Sequence, residues 1–291
     1  METPDVDGIL DGIGFLDPLA DSVQRRVGRA LAAGGPGAAR AKDLLNGRWL
    51  GHPLHPLLTD VPIGAWTAST MLDLAAGSQD GLALASDLLV GLGCTSGALA
   101  ALAGLADWQD SYGKERRVGL AHALLNSSAL GLFSGALGMR LRGRRRAARP
   151  LALAGFLLAA AGAYLGGDLV FRLGTQVNRN AWLEGPPDWR DAAAAEDVQP
   201  GRLLRCDLEG APVILTRLRG EICAVGGICP HAGGPLEESA VADGAVTCPW
   251  HGSRFDLGTG AVRHGPACTP LPRYQVRISP QGRVELRQAQ R

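Results

Sequence analysis

The sequence predicts a multi-domain α + β protein: an N-terminal four-helix transmembrane bundle followed by a C-terminal all-β sandwich. Three observations predict it. Residues 57–171 hold long apolar stretches rich in Ala, Gly and Leu. Polarity rises after Phe171, and Gly185-Pro186-Pro187 marks a linker. From residue 188 onward, short β-branched or alternating runs are separated by turn signals. The 291 residues give room for two domains of ordinary size. The expected boundaries are an amphipathic and loop region over 1–50, the helical domain over 51–176, a linker over 177–187 and the β domain over 188–291.

In the first region Leu16, Leu19, Val23, Val27 and Leu31 recur at helical spacing, with Arg25, Arg26 and Arg29 between them. This predicts an amphipathic helix over 16–31 packed on the rest of the protein, since its apolar face lacks the aromatics of an interfacial membrane helix. Gly34, Gly35, Pro36 and Gly37 then break it.

Four apolar segments follow, at 57–77, 88–106, 118–139 and 150–167, the last running on through Asp168 to Phe171. Each reaches or approaches the roughly 20 residues that cross a ~30 Å hydrocarbon core. Pro62 is expected in the first turn of the first segment, and Pro150 at the start of the fourth. Gly131, Gly135 and Gly138 recur at a spacing that lets helices approach closely. Loops at 78–81, 108–117 and 140–149 give an up-down-up-down order with both termini on one side. A buried soluble bundle is the competing reading of these mildly apolar helices.

Strands are expected at 212–218, 222–226, 245–248 and 274–278, divided by Glu209-Gly210, Arg219-Gly220, Asp243-Gly244, 258–260 and Gln281-Gly282. A net charge of +1 provides no basic field for nucleic acid. Six cysteines without paired spacing suit a reducing compartment better than a disulfide framework. The first residues, with Glu2, Asp5, Asp7 and Asp11, lack the positive charge of a secretory signal.

The chemistry concentrates in residues 229–251. Cys229-Pro230-His231 opens a C-x-H-x16-C-x-x-H pattern that Cys248-Pro249-Trp250-His251 closes. Each end offers one thiolate and one imidazole. That suits a binuclear [2Fe–2S] cluster with two Cys on one iron and two His on the other. Structural zinc is the competitor, although zinc fingers group their cysteines at one end and their histidines at the other.

The run from Cys229 to Leu236, with the runs from Cys248 to Asp256 and from Gly260 to Ala267, resembles Rieske ferredoxin domains over about the last hundred residues. The resemblance implies two cluster loops at one tip of a β-sandwich, with the histidine edges near solvent as the electron exit. Gly234 and Trp250 stand where the Rieske subunits of cytochrome bc complexes carry an extra cysteine pair, so that disulfide is excluded. Ser253 matches the position whose hydroxyl donates to a bridging sulfide. Phe255 stands where high-potential members have Tyr. One hydrogen bond fewer to the cluster sulfurs implies a low-to-intermediate, ferredoxin-like potential. His264 and Cys223 read as ordinary loop and buried residues.

In the helical part, His52, His55, Asp60, Asp107, Trp108, His122, Asn126 and Asp168 fall at helix ends expected to share one side. A satisfied interfacial cluster is the plain reading of them. The sharper one makes His55 and His122 ligands of haem b, or part of a quinone site, with Asp60, Asp107 and Asn126 orienting the rings. This part resembles small bacterial four-helix membrane domains of unsettled function that share the His-Pro-x-His-Pro start.

The function expected is membrane-anchored electron transfer to a redox protein partner or quinone. The alternatives are the ferredoxin component of a multi-chain oxygenase and a redox-sensing membrane module. An electron carrier or oxidoreductase component fits better than a self-contained enzyme, because no second iron site follows the motif. The expected location is a bacterial cell membrane, crossed several times, with the cluster domain in the cytoplasm. Eight basic residues on the termini side against six in 140–149 decide this weakly, and the unpaired cysteines tip the balance.

Overall fold

The computed structural model describes residues 6–75 and 80–289. The chain divides into two compact units, Met1–Ala41 with Leu54–Thr175, and Lys42–Pro53 with Gln176–Arg291. Glu2, Asp5 and residues 78–79 of the loop expected at 78–81 lie outside the described residues, and residues 80–81 are helical.

The first unit is helical. Helices α1 (Val6–Asp11), α2 (Leu16–Ala33) and α3 (Gly35–Leu45) precede α4 (Leu54–Ala75), α5 (Asp80–Trp108), α6 (Gly113–Leu141) and α7 (Arg145–Gly167). The expected amphipathic helix is α2, whose buried Leu16 and Ala20 pack with Val118, Leu120, Ala121 and Leu165. Its acidic side is tied down as well: Asp17 and Asp21 pair with Arg116 and Arg117. The Gly34–Gly37 break is a sharp redirection, because the chain turns at Gly35 in the left-handed region (φ 56°) and continues as α3.

Among the described residues, three helices are long and apolar enough to cross a membrane: Gly81–Trp108, Gly113–Leu141 and Arg145–Arg172. The third joins α7 to a π-helical turn, Asp168–Arg172. The first expected span forms α4 but is not among the three within the described residues; Thr59, Asp60, Thr67, Ser69, Thr70 and Asp73 dilute its apolar character. The helices are also longer than expected. Because α4 begins at Leu54, Pro56 takes the tolerated first-turn position and Pro62 lies inside the helix, where its ring removes one backbone hydrogen bond. Because α7 begins at Arg145, Pro150 is likewise internal and the 140–149 loop shrinks to 142–144.

Of the glycines expected at close helix approaches, Gly135 serves, since a Cβ there would stand 3.3 Å from Leu151 on α7, and further glycines join it. Trp66 stacks on Phe133 at 4.5 Å between centroids. A Cβ at Gly93 would stand 2.4 Å from the Trp66 Nε1 and one at Gly155 3.0 Å from the Phe133 ring, whereas Gly131 has nothing within 4 Å. Outward apolar side chains such as Leu84, Leu88, Leu92, Leu99, Leu102 and Leu157 cover α5 and α7, as lipid-facing surfaces require.

The second unit is β-rich. Its strands are β1 (Arg190–Ala194), β2 (Leu204–Leu208), β3 (Ala211–Leu218), β4 (Glu221–Gly226), β5 (Val241–Ala242), β6 (Ala245–Thr247), β7 (Arg254–Asp256), β8 (Val262–His264), β9 (Tyr274–Ile278) and β10 (Arg283–Gln288). They form three antiparallel sheets, β1-β10-β9, β2-β3-β4 and β5-β6-β7-β8. One core gathers Val213, Leu215, Tyr274, Val284 and Leu286. The other gathers Ile214, Leu236, Val246, Phe255 and Leu257 around Cys229 and Cys248.

Residues 177–187 do not form a free linker. The Arg179 N–H donates to the Pro230 carbonyl at 3.0 Å, the Asn180 amide to the Ile228 carbonyl at 2.9 Å and the Gln288 N–H to the Pro186 carbonyl at 2.9 Å. The polar composition that suggested a spacer serves hydrogen bonding to the β unit. Residues 42–53, assigned above to the N-terminal region and the start of the helical domain, also pack here.

Candidate functional site

Two loops bring the motif together. The first connects β4 to β5 and the second connects β6 to β7, and their hydrogen bonding is matched. The Cys229 N–H donates to the Gly234 carbonyl and its own carbonyl accepts from Gly233, both at 2.9 Å. The Cys248 N–H donates to the Ser253 carbonyl at 2.8 Å, and its carbonyl accepts from Gly252 at 3.1 Å. Gly233 and Gly252, each four residues after its cysteine, hold φ of 87° and 75°, which side-chain-bearing residues rarely adopt. The sequence carried this signal as a glycine at the same offset in both loops.

The matched turns aim four side chains at one place. The His231 and His251 rings lie 4.7 Å apart between centroids, and their Nδ1 atoms are 3.3 Å apart. The two cysteine thiols hydrogen-bond each other. That bond, with the N–H groups of Trp250 and His251, holds Cys248 below the usual thiol range, at about 6. The same bond and burial push Cys229 up, against the N–H groups of His231 and Ala232. Burial, then the positive charge of His251, Lys42 and Arg179, lowers His231 to about 3, so its imidazole is neutral at physiological pH.

This donor set fits a binuclear cluster. Both sulfurs receive main-chain N–H groups that stabilise thiolate, and the two imidazoles pair with each other. Both sulfurs are buried, whereas both histidines are partly exposed and Trp250 beside them is 51% exposed. A cavity of about 200 Å³ adjoins His231, lined also by His52, Gln176, Asn178, Cys268 and Thr269.

Ser253 is buried, and its Oγ accepts the Ala267 N–H at 2.9 Å. A Cβ at Gly234 would stand 2.7 Å from the Cys248 sulfur, so the position that carries cysteine in the bc type has no room for a side chain here. Phe255 is fully buried in the adjacent core. His264 ends strand β8 rather than lying in a loop, and it is satisfied as expected, with its Nδ1 3.1 Å from Asp43.

Sequence reasoning missed the strap at 42–53. Asp43 also accepts the Gly265 N–H at 2.9 Å, and the Cys268 thiol donates to the Asn46 carbonyl at 2.9 Å, so the strap holds the loop that carries Ala267. Asp43 lies far upstream of the motif, and no local pattern marks it.

In the helical unit His55 and His122 meet, 6.1 Å apart between centroids. His52 belongs to the other unit. The expected carboxylate orienters are replaced by main chain. The His55 Nδ1 lies 2.8 Å from the Ala100 carbonyl, and the His122 Nδ1 2.8 Å from the Gly162 carbonyl. Asp60 is exposed and Asp168 pairs with Arg172, whereas Asn126 does reach the His122 ring. Helix carbonyls can accept a second hydrogen bond, so no charged partner is needed.

Residues 188–275 match the family described as Rieske [2Fe-2S] domain, and residues 51–179 match the family described as Predicted membrane protein (DUF2231). Apoptosis-inducing factor 3 of Homo sapiens is 36% identical over 95 residues, which cover 32% of this chain and only 16% of that protein. The ferredoxin component of biphenyl 2,3-dioxygenase of Rhodococcus jostii is 33% identical over 82 residues, covering 28% of this chain and 77% of that protein. Among solved structures, the ferredoxin of carbazole 1,9a-dioxygenase from Nocardioides aromaticivorans matches with 25% identity and a TM-score of 0.33, over 34% of this chain and 96% of that one.

Proposed function

We infer that this chain, which belongs to the Rieske [2Fe–2S] family, passes single electrons to a partner protein as the membrane-held ferredoxin of an oxygenase-type system. Its Rieske domain is fused to a membrane-associated helical domain, and it is an electron carrier rather than a self-contained enzyme. The ligands we assign are Cys229, His231, Cys248 and His251. The observation that carries the assignment is the matched pair of loops, each closing on one cysteine through a left-handed glycine. When bound, the cluster takes up and releases one electron. The loop N–H groups hold the thiolate charge, and the two histidines, less buried than the two cysteines, give the electron its way out.

The similarity to oxygenase ferredoxin components favours an oxygenase component as the acceptor over a quinone. Phe255 in place of a hydroxyl donor supports a low-to-intermediate potential. We place all four helices α4–α7 across the bilayer, α4 included because Leu57, Val61, Ile63, Met71 and Leu74 face outward along it. We place the cluster domain in the cytoplasm, on the weight of its cysteines forming no disulfide among the described residues.

The test of the cluster is anaerobic purification of the full chain with metal analysis and EPR. Two irons per chain and the low average g of mixed Cys/His ligation are expected, both lost in Cys229→Ser and Cys248→Ser. Stoichiometric zinc without iron would overturn the assignment. Topology is tested by reporters at both termini. Four crossings in this orientation give active GFP and silent alkaline phosphatase at each end, and opposite results at the two ends would remove α4 from the membrane.

A further inference from the structure

We propose that His55 and His122 form a bis-imidazole site for a transition-metal centre inside the helical unit. The rings come from α4 and α6, stand 6.1 Å apart between centroids and lie at 81° to each other. Each Nδ1 is 2.8 Å from a main-chain carbonyl oxygen, that of Ala100 on α5 and that of Gly162 on α7. A carbonyl can only accept, so each Nδ1 carries the ring proton. Each Nε2 is then a lone pair, the form in which neutral imidazole ligates. Fixing the tautomer through the far nitrogen is how ligating histidines are usually oriented.

The cradle is built twice in the same way. Gly104 lies four residues after Ala100, and a Cβ there would stand 2.8 Å from the His55 Nδ1. Gly166 lies four residues after Gly162, and a Cβ there would stand 3.1 Å from the His122 Cε1. Two helices thus each omit a side chain one turn beyond the accepting carbonyl and admit a ring. Asn126 donates to the His122 carbonyl at 2.9 Å, and its amide nitrogen lies 3.3 Å from the His122 Nδ1 and 3.4 Å from its Nε2, a contact a metal at Nε2 would displace.

Two imidazoles bound on opposite sides of one ion at ~2.0 Å place their centroids about 6 Å apart, against 6.1 Å found. Two protein ligands complete a site in two cases. Haem iron takes its other four ligands from the macrocycle, and monovalent copper accepts low coordination numbers. The shared chemistry is axial imidazole donation to a redox-active metal. The site shares no residue with the cluster motif, so its failure and that of the cluster are read separately.

The full chain is purified in detergent from cells supplied with a haem precursor, and in parallel from cells supplied with copper. Haem is quantified by the pyridine haemochrome, copper by mass spectrometry and cluster iron by EPR. About one haem or one copper per chain is expected, lost in His55→Ala and in His122→Ala, with the cluster signal unchanged. Which arm fills identifies the metal. Should either variant fail to fold, titration of the wild-type chain with hemin and with cuprous ion is decisive. Wild-type chain with a full cluster that retains neither metal after both growths and both titrations overturns the proposal.

Discussion

The Ala267 N–H donates to the buried hydroxyl oxygen of Ser253 at 2.9 Å, which ties the loop after β8 to the second cysteine loop. Since Ser253 accepts there, its own hydroxyl hydrogen is left to point elsewhere, and the family resemblance places a bridging sulfide in that direction. Ser253→Ala should therefore lower the one-electron midpoint potential by about 60–130 mV, the equivalent of a 1.5–3 kcal/mol hydrogen bond to a charged group. Protein-film voltammetry checks this, and an unchanged potential would remove Ser253 from the cluster's surroundings.

Gly234 is required by space. Gly234→Ala puts a methyl against the Cys248 sulfur and within 3.2 Å of the Trp250 ring. We expect iron per chain to fall well below two and the domain to lose about 1–3 kcal/mol, the usual range for overpacking. Iron analysis and thermal denaturation followed by visible circular dichroism measure both.

How far the sequence could be read is clear from these two residues. The ligand pattern and the lack of a cysteine at 234 were visible because binuclear ligation needs fixed residue types in local order. The Ala267–Ser253 bond was not visible, since it joins backbone to side chain across two loops. The three apolar spans were legible from composition, but their ends were not: helices run on past their apolar centres into Leu54 and Arg145. The bound state of 177–187 was hidden because a polar segment reads the same whether it faces water or a β-sheet edge.

At one end of the helical unit, the fully buried Arg140 side chain is held by Asp73, by Ser86 Oγ at 2.8 Å and by Asp87 at 3.1 Å, and Arg145 joins Asp87 at 2.6 Å. Asp73→Ala leaves a buried cation short of its main carboxylate and should cost 3–5 kcal/mol, roughly the value for breaking a buried pair. Adding Arg140→Leu should recover most of the loss. Unfolding in mixed detergent micelles measures both, and full additivity of the two changes would contradict the pairing.

Asp256 closes the turn after β7, accepting from Gly258 N–H at 2.9 Å, Thr259 N–H at 2.8 Å and the Arg263 guanidinium at 2.5 Å. Burial alone would raise its pKa, but Arg263 and Thr259 outweigh that and hold the carboxyl below its ordinary value. A lowered carboxylate stabilises the fold above its unfolded pKa of about 3.9 and loses that contribution as pH falls through the folded value. Asp256→Asn should lower Tm by several degrees, roughly what 1 kcal/mol gives a domain of this size, at pH 6–8. The gap should close once pH has fallen below the lowered folded value, as Tm measured across pH will show.

The strap at Lys42–Pro53 imposes an order of events on biosynthesis. Its hydrogen bond from Gly265 to Asp43 spans 222 positions of chain, with all of α4–α7 made in between. The entropic penalty for so long a closure grows only logarithmically, but the partner does not exist until translation has passed the last helix and most of the β unit. The strap therefore waits, and its closure marks a chain that has inserted its helices and finished its cluster loops. A chain ended before His264 and Gly265 leaves Asp43 with only its neighbour Arg48 among the described residues, so one carboxylate near the start of the chain records whether the far end was completed.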